Sequence, residues 1–301
     1  YISGSNATMR SGELKSALRG WPEEEETLPL SFREYCSFND IDTESWLESD
    51  QAKIRNAFAR YNNEGGFPEV VLTKDPLQKV KRLQTYFDTM LLKDIVEHYG
   101  LSNIEVMRYF LKRIMSNLTK PTSIRAIHGD IKSQGLKVSK DVLYDWANYA
   151  CGVFMFLRIA NYSKSLQKAE NSQPKYYCID NGLRDAVLLP QSDDDGKKLE
   201  NTVFLQLYRQ RTPIDKVFYY QGKHECNFVV QRGSDIAQLV QVTWDMKNEE
   251  TKKREIDGLL EAAQVTGCKN LYIITAYDQE DISTENGDII HVVPAWRWLL
   301  S

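Results

Sequence analysis

The sequence predicts a multidomain α/β protein, and three observations carry that expectation. Its 301 residues, at about 100–200 per domain, leave room for two or three separate cores. Apolar residues recur at helical spacing through the first half of the chain. Past residue 190, β-rich runs alternate with helical ones, the pattern of a mixed sheet with helices on both faces. Composition narrows the class further: 42% hydrophobic, 27% charged and 11% aromatic residues exclude a disordered or collagen-like chain. Cys36, Cys151, Cys178, Cys226 and Cys268 are scattered and never form a CxxC pair. That spacing argues against a disulfide framework or zinc finger and for a reducing cytoplasm. No apolar run is long enough to span a membrane, and no signal-peptide pattern opens the chain. Because it starts at Tyr1 rather than Met, in what reads as a strand, the chain is expected to be part of a longer protein.

In residues 1–40, Tyr1 and Ile2 read as the end of a strand, followed by a Ser-Gly-Ser-Asn turn and a helix with the stripe Leu14, Ala17, Leu18. After the acidic run 23–26, residues 27–30 read as a short strand, and Ser31 as the N-cap of a helix beginning at Phe32. Residues 41–100 read as helical. Trp46, Ala52, Ile54, Ala57, Phe58 and Tyr61 form one stripe, Gly65-Gly66-Phe67-Pro68 breaks it, and a long amphipathic helix carries Val80, Leu83, Tyr86, Phe87, Met90, Leu91 and Ile95.

Residues 101–190 read as helices at 104–117, 123–133 and 139–153, then strands at 154–160 and 175–179 joined by a polar, basic stretch. Three helices, with a turn at 134–138 before the third, plus such a hairpin make a winged helix-turn-helix. Residues 191–301 read as a helix at 198–209, strands at 216–220, 226–231 and 237–244, a helix at 251–265, a strand at 270–275 and a last strand around His291. No internal repeat is present.

Charge is unevenly spread. The whole chain stands at −4, yet residues 101–175 hold 12 Lys and Arg against 5 Asp and Glu. A basic block in an acidic protein marks either a polyanion-binding surface or a solvated face. As the third helix of the winged unit, 139–153 would present Lys140, Asp141, Tyr144, Asp145 and Asn148 outward; Lys132 and Lys137 precede it, and Arg158, Lys164 and Lys168 lie on the wing. Two acids on the helix argue against base readout, so weak, salt-sensitive binding of duplex DNA is expected, with a protein partner as the alternative.

A nucleotide-binding P-loop requires GxxxxGK[ST], and neither Gly196-Lys197 nor Gly222-Lys223 satisfies it. The four histidines have no metal spacing, and no GxSxG element or Cys/His pairing points to covalent catalysis.

Several phrases nevertheless resemble one family. Tyr-Ile-Ser-Gly-Ser-Asn at 1–6, Ser-Gly-Glu-Leu at 11–14, Leu-Arg-Gly at 18–20 and Pro-Leu-Ser-Phe-Arg-Glu at 29–34 resemble the end of the core in prokaryotic AAA+-type (archaeal-type) P-loop ATPases. Gly-Gly-Phe-Pro-Glu-Val-Val-Leu at 65–72 and Leu-Leu-Lys-Asp-Ile-Val at 91–96 resemble its helical lid. In that family a winged helix and a PD-(D/E)XK nuclease-like domain follow, and Leu-Glu-Asn-Thr-Val-Phe at 199–204 and the strand at 225–230 resemble the latter. The resemblance implies an ATPase tail over 1–40, a lid over 41–100, a winged helix over 101–190 and a restriction-endonuclease-like sheet over 191–301. It places the Walker elements upstream of Tyr1, so ATP and Mg²⁺ are implied for the intact protein and no cofactor for this chain. Ser3, Asn6 and Arg19 become candidate nucleotide sensors; where the family commonly has an arginine after the Leu-x-Gly step, Trp21 stands here.

The same resemblance puts Asn227, Gln241 and Thr243 where a nuclease needs Asp, Glu and Lys, with Glu200 as the helix acid. Uncharged amides and a hydroxyl should not retain Mg²⁺, which dehydrates reluctantly and relies on anionic ligands. A degenerate site is therefore expected. Because side chains alternate along a strand, a displaced triad of Glu200, Glu225 and Asp245 is the alternative that would restore an active Mg-dependent nuclease. Two function classes follow: the C-terminal portion of an ATPase with a weak nucleic-acid-binding arm, or a non-enzymatic interaction scaffold that could assemble into oligomers.

Overall fold

Ser31 opens the described fold as its side chain dictates. Its hydroxyl accepts from the Glu34 backbone N–H, and the Glu34 carboxylate accepts from the Ser31 N–H at 2.7 Å. That capping box starts α1 (Phe32–Phe38). The computed structural model describes residues 26–45, 47–188 and 195–301. The expected strand and helix of residues 1–25, with Ser3, Asn6, Arg19 and Trp21, lie outside the described residues, as does Trp46.

Residues 27–30 are not a strand. Pro29 has no N–H to donate, and the one backbone bond the segment makes to a neighbouring loop runs from Leu30 N to Gly66 O at 2.8 Å. The helical part continues with α2 (Glu48–Glu64), α3 (Pro68–Leu72) and α4 (Pro76–Asp88). The long amphipathic helix departs from expectation here: after Asp88 the chain widens into a π-helix, Thr89–Glu97. Leu83, Phe87, Leu91 and Ile95 are all buried and stand four apart. That spacing drifts around an α-helix, and the wider i→i+5 turn keeps the last of them on the core side. Val80, expected inside, is 42% exposed.

Helices α5 (Ile104–Ser116), α6 (Ile124–Ser133) and α7 (Lys140–Gly152) follow, the last two capped by Ser123 and Ser139. Then β1 (Phe156–Ile159) pairs antiparallel with β2 (Lys175–Cys178). Their connection, expected to be irregular, contains the short helix α8 (Leu166–Glu170). A further helix unforeseen in the sequence, α9 (Asn181–Val187), is capped by Asp180 and packs on α2 and α4.

The remainder is α10 (Asp195–Arg209), β3 (Lys216–Gln221), β4 (Glu225–Arg232), β5 (Asp235–Val242), α11 (Glu249–Thr266), β6 (Leu271–Thr275), β7 (Glu280–Ser283), β8 (Ile289–Pro294) and α12 (Ala295–Trp298). The strands form one sheet in the order β3-β4-β5-β6-β8-β7, parallel at β5-β6-β8 and antiparallel at both edges. Leu199, Val203 and Phe204 of α10 share a core with Phe228, Val240 and Ile274 on one face. Leu259 and Ala262 of α11 share another with Val229, Leu239 and Leu271 on the other. Each fully buried Val, Leu, Ile or Phe among them contributes about 1.5–3 kcal/mol. The protein is thus mixed α/β, a helical part joined to a multi-stranded sheet. No described helix is long and apolar enough to cross a membrane.

Candidate functional site

Lys175 is the first residue of β2 and is completely buried, which a lysine tolerates only when paired. Its Nζ donates to Glu225 Oε1 at 2.5 Å and to Glu200 Oε1 at 3.5 Å, and lies 5.3 Å from the centre of the Tyr219 ring. The Tyr177 hydroxyl donates to the same Glu200 oxygen at 2.8 Å. Burial alone would push the Lys175 ammonium down; Glu200 and Glu225 outweigh it and hold the group above the ordinary lysine value. Burial raises the Glu200 carboxyl, partly offset by Lys175, and raises the Tyr177 hydroxyl well above 10, so Tyr177 stays a donor.

The sequence-predicted acids therefore meet, but around an ammonium supplied by the hairpin. The other expected positions do not join them. Asn227 Oδ1 accepts from Val242 N at 2.8 Å, and Asn227 N donates to Gln241 Oε1 at 3.0 Å. Gln241 Nε2 donates to the buried Glu255, whose carboxylate also pairs with Arg254 at 2.6 Å. A glutamate at 241 would press two buried carboxylates together, so the amide is what this contact demands. Thr243 Oγ1 donates to Asp245 O at 3.2 Å, and Asp245 Oδ1 accepts from Lys247 N at 3.0 Å. Asp245 is thus engaged in its own turn, and no group of three metal-competent side chains occurs among the described residues. The residues present do not fit Mg²⁺: a fixed cation already sits between Glu200 and Glu225.

A second constellation lies where α2, α9 and α10 meet the β1–β2 hairpin. Asp180 accepts from Gly66 N at 2.6 Å and from Leu183 N at 2.9 Å. Asn181 Nδ2 is shared among Asn62 O, Lys198 O and Thr202 Oγ1 at 2.9–3.0 Å. Asn201 bonds both backbone groups of Cys178, and Lys198 pairs with Asp185 at 2.6 Å. The phrases Gly65-Gly66 and Leu199-Glu200-Asn201-Thr202 thus interlock through a third, Asp180-Asn181-Gly182, that the sequence reading passed over. Complete burial pushes the Asp180 carboxyl up to about 6, against the pull of the backbone N–H groups of Gly66, Leu183 and Gly182. The pH consequence follows. A carboxyl whose folded value exceeds its unfolded one gives stability that is complete below pH 3.8 and is lost as pH rises through about 6. Relative to Asp180→Asn, the native chain should gain up to about 3 kcal/mol between pH 7 and pH 4, read from urea unfolding at each pH.

On the surface, Lys132, Lys137, Tyr144, Asn148, Arg158, Lys164 and Lys168 are exposed and Lys140 is half-buried. Arg158 Nη1 donates to Asn148 Oδ1 at 2.8 Å, so β1 and α7 are coupled. Lys132, Lys137, Lys164 and Lys168 form no ion pair with other described residues. Asp141 and Asp145 are exposed on the same helix, as expected. His128 has a structural partner, Val138 O, at 3.1 Å.

Residues 55–194 match the domain of unknown function DUF8612. An uncharacterized protein of Methanocaldococcus jannaschii is 31% identical over 313 aligned residues, covering 100% of this chain and 68% of the relative. The chain belongs to its family. An uncharacterized protein of Haemophilus influenzae is 27% identical, covering 99% of this chain and 70% of the relative. No solved structure matches the chain significantly. Within the family domain fall Gly65, Gly66, Lys175, Asp180 and the whole basic surface; its end at residue 194 precedes α10. Lys175 and Glu255 were missed in the sequence. A lysine heading the apolar run Tyr176-Tyr177-Cys178 was the available signal for the first; nothing local marks the second.

Proposed function

We propose that this chain is the C-terminal portion of an AAA+-type ATPase, with a helical lid, a winged helix that binds duplex nucleic acid weakly, and a nuclease-like sheet that does no hydrolysis. The single observation that carries the reading is the Lys175 ammonium lying between Glu200 and Glu225. Of the two acids it neutralises, Glu200 is the one the resemblance assigned to a nuclease metal and Glu225 belongs to the displaced triad that would have restored one. The sheet then works as a rigid mount for the winged unit, whose exposed lysines meet phosphates. By the family resemblance, ATP and Mg²⁺ are the cofactors of the intact ATPase.

Fluorescence anisotropy with a short duplex at two salt concentrations tests it. Replacing Arg158, Lys164 and Lys168 together by glutamine is expected to weaken binding at least about tenfold and to reduce the log–log salt slope by about 3. Unchanged affinity would refute the nucleic-acid role. Mn²⁺-dependent plasmid cleavage abolished by Glu200→Ala would refute the silent site. Exposed Asp141 and Asp145 beside Tyr144 favour a second reading, in which the winged unit docks a protein and the chain is a scaffold. In the intact protein, duplex-stimulated ATP hydrolysis separates the two.

A further inference from the structure

The two edges of the sheet are treated differently. At β3, Tyr219 N donates to Ala160 O at 3.1 Å and its carbonyl accepts from Tyr162 N at 2.6 Å, while Gln221 N donates to the Asn161 side chain at 3.0 Å. The hairpin thereby covers that edge. At β7 no described residue pairs with the outer side. The register shows which groups are left over. Thr284 N donates to Asp288 O, and alternation along the antiparallel pair then makes 282/290 and 280/292 the hydrogen-bonded pairs. Asp281 and Ser283 therefore point their backbone N–H and C=O away from β8.

Beside this edge the sheet face is uncovered and forms a cavity of about 650 Å³. Tyr272, Val293 and His291 floor it, and Gln279, Asp281 and Arg297 rim it. Arg297 is held by Gln279 at 2.8 Å, and His291 by Asp281 at 2.8 Å. Residues 278–288 carry Asp278, Glu280, Asp281, Glu285 and Asp288 and no lysine or arginine. Lys252 answers Glu280 and Lys269 approaches Asp288, so the edge remains negative. Ile289, 48% exposed, adds an apolar shoulder.

We propose that β7 accepts an extended, lysine- or arginine-bearing segment of a partner protein as an added strand. Its backbone would pair with Asp281 and Ser283, and its basic side chains would meet the acidic edge. Acid on an exposed edge also blocks pairing between two copies of this chain, because their β7 strands repel. That combination selects a basic strand over self-association. The inference is independent of the nucleic-acid role.

The probe is a fluorescein-labelled peptide of about eight residues alternating Lys and Val, with a Glu/Val counterpart and a version N-methylated at alternate residues. Anisotropy should show binding of the Lys/Val peptide, none of the Glu/Val peptide, and at least about tenfold weaker binding of the N-methylated version. Ser283→Pro removes one outward N–H without touching the β7–β8 ladder and should weaken the Lys/Val peptide as much, leaving duplex binding unchanged. Equal binding of the methylated peptide, which would mean attraction by charge alone, overturns the proposal. So does equal binding of the Glu/Val peptide, or no binding at all. The methylated probe keeps the test decisive on the unaltered chain if Ser283→Pro does not fold.

Discussion

Lys175→Met is expected to lower stability by about 3–5 kcal/mol, because removing one partner of a buried ion pair leaves the other charge without compensation. Glu200 is buried, and its own surroundings already raise its carboxyl. With the ammonium gone, the Tyr177 hydroxyl remains as its donor. Two further outcomes separate this account from simple loss of packing. Adding Glu200→Gln and Glu225→Gln to Lys175→Met should recover a large part of the loss, since no charge is then left without a partner. The single variant's deficit should also shrink as pH falls. A carboxyl raised in the folded state carries stability that is complete below its unfolded value and is lost as pH rises through the folded one. Urea unfolding followed by far-UV circular dichroism at pH 5 and pH 8 reads both. A loss that is equal at the two pH values and unrelieved by the amides would show that Lys175 contributes packing rather than charge.

This cluster marks the limit of what could be read in the residues. Glu200 could be singled out as a candidate acid by the family resemblance, and Glu225 because side chains alternate along the strand that carries Asn227. Asn227, Gln241 and Thr243 could be seen to lack charge. Lys175 could not be brought to the same point, since it precedes Glu225 by 50 residues and the hairpin must fold back on the sheet before the two meet. Long-range pairing of this kind leaves no periodic trace. The same limit applies to Gln241, whose partner Glu255 lies across the turn into α11.

Local chemistry fared better. Ser31 and Ser139 were legible caps, and the three helices and hairpin of 101–190 emerged within a residue or two of their expected bounds. What failed locally failed for identifiable reasons. Leu83, Phe87, Leu91 and Ile95 suit either an α-helical stripe or a wider turn, so the π-helix could not be told apart. Strand β7 consists of Glu280, Asp281, Ile282 and Ser283 and offers almost no apolar alternation, because one side of it faces water. Helix α9 hid behind Gly182, a residue that normally argues against a helix interior.

Gly182 is also where a small change should have a large effect. A Cβ there would fall inside contact distance of the Glu64 backbone oxygen, which cannot swing aside as a side-chain tip would. Nor can the neighbouring residues give way. Gly65, at φ +80, has its own missing Cβ pressed against the Asp180 carboxylate, and that of Gly66 faces Leu30 O. Helix α9 would have to withdraw from the end of α2, breaking the bonds from Asn181 to Asn62 O and from Gly66 N to Asp180. Gly182→Ala is therefore expected to lower stability by about 3 kcal/mol, combining overpacking with buried polar groups that lose their partners. Gly129→Ala is the control: that glycine lies in α6 with nothing near its missing Cβ, and alanine should be neutral or stabilise by about 0.5–1 kcal/mol. Urea midpoints for the two variants should move in opposite directions, or only the first should move. Equal midpoints would mean that the close approach of α9 to α2 does not hold the helical part to the sheet.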